Sequence, residues 1–150
     1  MKSKFQNIFP INFISKIKLL GYMRKDRIID GIIVRGLGEG TYFISMKQYQ
    51  DEIKKKLGFK AYPGTLNLKV NKRAINSFNK IKPIKIDGFK SKNRRFGRVS
   101  CYKAKIKNVS GSIIFPDLTK NKDIIEFIAP VHLKSELKLK DGDKIKVEIL

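Results

Sequence analysis

A mainly β fold, a small closed β-barrel with one or two short helices, is what this 150-residue sequence predicts. Short apolar stretches follow one another closely from Arg27 onward, most of them with strand-like alternation. Turn signals such as Asp87-Gly88 and Asp141-Gly142-Asp143 separate them. Only two stretches switch to helical spacing, too few for a βαβ chain. The length fits one domain with a real core, and 41% hydrophobic residues agree.

Residues 1–27 read as an appendage. Ile8, Ile11, Phe13, Ile14, Ile17, Leu19 and Leu20 are partly helix-spaced and Gly21 is a natural stop, so packing on the domain surface and partial disorder both stay open. The barrel domain is expected over 28–150. Ile28 to Val34, interrupted by Asp30-Gly31, predicts a first strand or bulged strand. Tyr42 to Ser45 reads as a second extended piece. Met46 to Leu57 then takes helical spacing, with Tyr49, Ile53 and Leu57 at i, i+4 and i+8. Gly58 suits the position after a helix end, and Lys54, Lys55 and Lys56 complement its dipole. Strands are expected at Thr65 to Val70, Ile81 to Ile86, Gly97 to Lys107 and Ser112 to Phe115, with turns at Asp87-Gly88 and Ser91 to Arg95. A strand from Asp123 to Ile128 ends at Ala129-Pro130, and a short helix follows over Val131 to Leu137. Lys144 to Leu150 closes the chain as a strand in which Ile145, Val147 and Ile149 alternate.

The formal charge of +21 is unevenly spread. Residues 71–110 hold 13 Lys+Arg against the single acid Asp87, whereas 111–150 hold seven of each sign. Such a block attracts nucleic acid or small anions, or is simply a solvated lysine-rich face. One cysteine, Cys101, forbids an internal disulfide and fits a reduced compartment as a buried thiol. A lone His132 forms no metal pair and by itself reads as a surface residue. No uninterrupted apolar run reaches membrane-spanning length, and Pro10, Asn12, Ser15, Lys16 and Lys18 break up the one stretch that faintly resembles a signal peptide. A cytoplasmic protein is expected.

The chemistry-bearing stretch runs from Gly36 to Leu68. Gly36, Gly38 and Gly40 at alternate positions leave one side of the backbone bare, so its N–H groups can approach a phosphate. A tight turn or barrel bend explains them equally well. No GxxxxGK[ST] occurs, which excludes a P-loop. Thr65 and Asn67, two apart on an expected strand, point to the same side. Their hydroxyl and amide oxygens are hard ligands suited to Mg²⁺ that keeps waters and substrate phosphates, although Gly64 to Asn67 also reads as a plain turn entering a strand. Glu126 is a lone carboxylate in the apolar run Ile124-Ile125-Glu126-Phe127-Ile128, so it faces out of the core or serves a purpose.

Gly36-Leu37-Gly38-Glu39-Gly40 with Tyr42-Phe43, Leu57-Gly58-Phe59, Tyr62-x-Gly64-Thr65-Leu66-Asn67-Leu68 and Ile125-Glu126-Phe127-Ile128-Ala129-Pro130 together resemble the archaeal CTP-dependent riboflavin kinase family, over roughly 28–150. The resemblance implies a six-stranded barrel of the cradle-loop type. It implies transfer of the CTP γ-phosphoryl to the 5′-hydroxyl of riboflavin, giving FMN and CDP. Gly36, Leu37, Gly38, Glu39, Gly40 and Thr41 would hold the nucleotide, completed by Val131, His132, Leu133 and Lys134. Thr65 and Asn67 would bind one Mg²⁺ ion, and Thr119 and Glu126 would contact the flavin, with Glu126 as base. Relatives often carry Lys or Arg after Ala-Pro where this chain has Val131-His132-Leu133-Lys134, and many bear a helix-turn-helix domain for which 1–27 is too short. Riboflavin/FMN and CTP/CDP are the expected partners of a monomer, with no membrane and no nucleic acid.

Two other classes compete. Leu137-x-Leu139-x-x-Gly142-Asp143-x-Ile145-x-Val147 resembles half of a swapped-hairpin transcription-regulator barrel, and the basic block suits phosphates. Such a nucleic-acid binder has no need of the glycines, Thr65/Asn67 and Glu126 together, and Phe78, Phe89, Phe96 and Tyr102 form no stacking pattern. A flavin-binding protein without catalysis is the third reading, in which Thr65 and Asn67 would be dispensable.

Overall fold

The computed structural model describes residues 27–36, 38–116 and 123–150. Leu37, Thr119 and the appendage up to residue 26 therefore lie outside the described residues. Strand β1 (Ile28–Val34) leads through the glycine loop into helices α1 (Glu39–Ile44) and α2 (Lys47–Leu57). Strand β2 (Leu66–Lys69), α3 (Lys72–Ser77) and a 3₁₀ turn (Phe78–Lys80) follow. Next come β3 (Ile84–Ile86), β4 (Phe89–Ser91), β5 (Arg94–Phe96), β6 (Val99–Ile106) and β7 (Val109–Pro116). The chain ends with β8 (Ile124–Ile128), α4 (Leu133–Glu136) and β9 (Lys144–Ile149).

Seven strands form one sheet in the order β3-β6-β7-β8-β2-β1-β9, and a further pairing of β6 with β9 closes six of them into a barrel. Every pairing is antiparallel. Strand β6 serves two partners along one edge. Its first half pairs with β3 (Ile84↔Cys101) and its second half with β9 (Ile106↔Val147). Closure removes the exposed edges that an open sheet of short strands would present.

Alternation decides which face is inside. Ile29, Ile33, Leu66, Leu68, Ala104, Ile106, Ile113, Ile125, Phe127, Ile145, Val147 and Ile149 fill the barrel. A second cluster coats the outer wall, where Ile44 of α1 and Tyr49, Ile53 and Leu57 of α2 meet Cys101, Ile114 and Ile128. Residues at odd and even positions of β7 and β8 are thus both buried, one set inside the barrel and the other beneath the helices.

Four differences from the sequence expectations have physical causes. Tyr42 to Ser45 is not extended, because Gly38 adopts a left-handed φ of 84° and turns the chain into α1. The two glycines at 38 and 40 conceal that helix from propensity. Asp30-Gly31 does not interrupt β1, which pairs continuously from Ile28↔Glu148 to Ile32↔Lys144. Ser91 to Arg95 is not simply a turn. Only Lys92 and Asn93 are, at φ of 50° and 64°, joining β4 and β5 as a two-residue hairpin. Helix α3 was not expected; its start is fixed by Asn71, whose Oδ1 accepts the Ala74 N–H at 2.8 Å. Gly58 ends α2 at a φ of 86°, as its place in the sequence predicts.

Candidate active site

Pairing places the chemistry on the outer wall. Leu66 and Leu68 point into the barrel, so Asn67 faces outward, and Ile125 and Phe127 do the same for Glu126. Asn67 is the Cα partner of both Val34 on β1 and Glu126 on β8, and Glu126 is the partner of Ile114 on β7. One cross-strand row thus carries an amide and a carboxylate side by side. Thr65, just ahead of β2, donates its hydroxyl to Glu126 Oε1 at 3.0 Å. The Asn67 Nδ2 lies 3.4 Å from both the hydroxyl and the carbonyl oxygen of Thr65. Those contacts are long for N–H···O bonds, so the amide is lightly held and its Oδ1 can turn to the same point.

The glycine loop lies over this group. A Cβ on Gly36 would collide with Asn67 Nδ2, and one on Gly40 would stand 2.5 Å from Thr65 Oγ1 and 3.2 Å from Glu126 Oε1. Only glycine lets the backbone come this close. The rationale of alternate bare positions gives way to a different one. Gly36 and Gly40 make the close approach from either end of the loop, and Gly38 supplies the left-handed turn between them. Thr41 is exposed and reaches toward Gly64, whose Cβ would stand 3.7 Å from Thr41 Oγ1.

The segment after Ala129-Pro130 divides. Leu133 is buried in the barrel core, and Lys134 is engaged by Asp141 at 2.7 Å. Val131 is half-buried and His132 exposed, the latter with its Nδ1 2.6 Å from Ser135 Oγ. Tyr62, to which the sequence reading assigned no role, stands beside His132 with ring centroids 5.0 Å apart, and its N–H donates to Ala129 O at 2.8 Å. At 42% exposure Tyr62 presents a ring to solvent beside His132. An aromatic just before Pro63-Gly64 was the available signal.

The buried thiol of Cys101 lies in the outer cluster, two strands along the row that carries Glu126. Burial pushes the Cys101 pKa from 9.0 up to about 12, only partly offset by its contact with Ser112 and by the charges of Lys56 and Lys85. Such a thiol is a core side chain, not a nucleophile. Among the described residues no cluster of three or more His, Cys, Asp or Glu exists, so any metal would rely on neutral oxygens with Glu126. No helix of the described residues is long and apolar enough to cross a membrane.

Backbone, hydroxyl, amide and carboxylate in one place suit the transfer of a charged group to a hydroxyl. Comparison with known proteins points the same way. Residues 33–149 match a family model labelled CTP-dep_RFKase and described as a domain of unknown function, DUF120. The chain is 38% identical over 130 residues to a protein of Thermoplasma acidophilum named riboflavin kinase, covering 85% of this chain and 59% of that protein. Identity to the riboflavin kinase of Pyrococcus furiosus is 44% over 126 residues, 82% of this chain and 58% of the other. To that of Pyrobaculum aerophilum it is 43% over 124 residues, 80% and 59%. The chain thus spans a little under three fifths of the length of these relatives.

Proposed function

For a chain that belongs to the DUF120 family, labelled CTP-dep_RFKase, we propose riboflavin kinase activity: transfer of the γ-phosphoryl of CTP to the 5′-hydroxyl of riboflavin, giving FMN and CDP. The observation that carries this reading is the Thr65–Glu126 hydrogen bond of 3.0 Å beneath the backbone of Gly40, with Asn67 in the same row. Phosphoryl transfer asks the protein mainly to align two reactants and to spread charge away from the phosphate oxygens. Backbone N–H groups of the glycine loop serve the nucleotide phosphates, and exposed Tyr62 and His132 with half-buried Val131 border the same side. Thr65 Oγ1 and Asn67 Oδ1 are the residues that would hold one Mg²⁺, whose chemistry when bound is to neutralise phosphate charge. The hard, mostly neutral oxygen set fits an ion that keeps waters and phosphate oxygens as its other ligands.

Glu126 orients the acceptor hydroxyl and takes its proton as the new P–O bond forms. Its hydrogen bond from Thr65 fixes the orientation of the carboxylate on the barrel wall. Thr119 is the further flavin contact in this reading.

The test is riboflavin phosphorylation with Mg²⁺ and each of CTP, ATP, GTP and UTP in parallel. FMN formed best from CTP supports reaction and donor together. FMN formed from ATP keeps the kinase and breaks the donor assignment. No FMN from any donor, alongside salt-sensitive binding to DNA or RNA, replaces the kinase with the nucleic-acid barrel.

A further inference from the structure

Helix α1 does not hold itself in place. It has six residues, one of them Gly40, and its cap Gly38 makes no side-chain hydrogen bond. Yet its first turn must press Gly40 against Thr65 and Glu126, so something outside α1 fixes it. Ile44 is buried in the outer cluster, and Phe43 packs edge-on against Phe96 of β5 at 6.0 Å. The β4–β5 hairpin is itself anchored. Phe89 and Phe96, cross-strand partners, stack at 4.8 Å, and Tyr49 of α2 lies 4.9 Å from Phe89 while donating its hydroxyl to Gly97 O at 2.8 Å. From this fixed hairpin the Arg94 guanidinium reaches over three rings, 5.0 Å from Phe96 and 5.8 Å from both Tyr42 and Phe43. Arg94 is exposed, and no carboxylate pairs with it among the described residues. Tyr42 is 52% exposed, and this cation ties its ring to the hairpin.

We propose that Arg94 is a positioning residue for the glycine loop: its cation–π contacts with Tyr42 and Phe43 hold α1 so that Gly40 stays seated on Thr65 and Glu126. The inference rests on the kinase reading for its kinetic consequence, not for its structural one. Loss of the cation frees the outer side of α1, and the loop at its N-terminus loosens with it. A nucleotide bound by that loop then meets a less ordered site and binds more weakly, whereas the flavin side, on β8, is untouched.

The experiment compares the full chain with Arg94→Gln and Arg94→Lys. Amide hydrogen exchange without ligand reads α1 directly, through Ser45 N–H on Thr41 O and Met46 N–H on Phe43 O. For Arg94→Gln we expect exchange at these amides faster by about two- to five-fold, the range of an exposed cation–π contact, with β1, β2 and β8 unchanged. The KM for CTP should rise by a similar factor, with kcat and the KM for riboflavin near wild type. Arg94→Lys, which keeps a cation, should restore most of both. A merely structural role would lower overall stability and move both KM values, and Lys would not rescue it. Unchanged exchange at Ser45 and Met46 in Arg94→Gln overturns the proposal. Should wild type phosphorylate nothing, the kinase reading falls, and the exchange data alone uphold or overturn the clamp.

Discussion

Replacing Gly40 with alanine tests the closest contact in the candidate site. The added Cβ would stand 2.5 Å from Thr65 Oγ1 and 2.8 Å from Thr65 Cγ2. Thr65 is β-branched and stiff at χ1, so relief requires a rotamer change and not a small tilt. That change takes Oγ1 away from Glu126 and breaks the 3.0 Å bond between them. Two stability effects oppose each other. Alanine favours a helical position over glycine by about 0.5–1 kcal/mol. Overpacking costs about 1–3 kcal/mol. The net is a loss of about 1 kcal/mol, or roughly 3 °C in Tm for a chain of this size. Activity should suffer far more, by about 10²-fold, because Thr65 and the loop backbone are displaced by about an ångström from the transferring group. Gly58→Ala is the matched control. Its left-handed φ of 86° makes alanine strained by a similar energy, and its Cβ would meet nothing within 4 Å. Thermal unfolding and steady-state riboflavin phosphorylation on both variants give the comparison. If Gly40→Ala loses no more activity than Gly58→Ala, the loop does not press on Thr65 in the way described.

Other expected outcomes follow from the same geometry. Asn67→Ala should fold normally, since the side chain faces outward, yet lose much of its Mg²⁺-dependent rate; a Mg²⁺ titration showing wild-type turnover would remove Asn67 from the metal set. Cys101 should resist thiol reagents at pH 8 in the folded protein and react fully in denaturant, because burial holds its pKa near 12. The same shift sets a pH dependence: the raised folded value contributes stability in full below the unfolded pKa of 9.0, and that contribution is lost as pH rises toward about 12. Cys101→Ser should flatten the part of the alkaline stability loss due to this group, as urea melts at pH 8 and pH 10.5 can measure.

Several of these features are visible in the sequence because they depend on local period. Thr65 and Asn67 share a side by the two-residue repeat, and Glu126 interrupts an apolar run, so each can be picked out without a fold. What places them together is not local. Asn67 meets Glu126 through the β2–β8 pairing across nearly sixty positions, and β1 meets β9 through Ile29↔Val147, almost the whole domain apart. Helix α1 stays hidden because glycine lowers its propensity while tertiary contacts from Phe96 and Arg94 supply its stability. The β4–β5 hairpin is similarly concealed: Lys92-Asn93 reads as a turn, but the flanking Arg94-Arg95 look like part of it until Phe89 and Phe96 are seen to stack. Lys134, a natural phosphate ligand on charge alone, is instead held by Asp141. The β7–β8 connection, with Thr119, lies outside the described residues.

The central claim, that Glu126 with Thr65 and Asn67 forms a phosphotransfer centre, is tested most directly by Glu126→Gln. The glutamine Oε1 can still accept the Thr65 hydroxyl, so fold and loop are preserved while proton acceptance is lost. Riboflavin binding should remain near wild type, and the single-turnover rate of FMN formation should fall by about 10²–10⁴-fold. A variant that binds riboflavin and still transfers phosphate at the wild-type rate would place the base elsewhere and contradict the account.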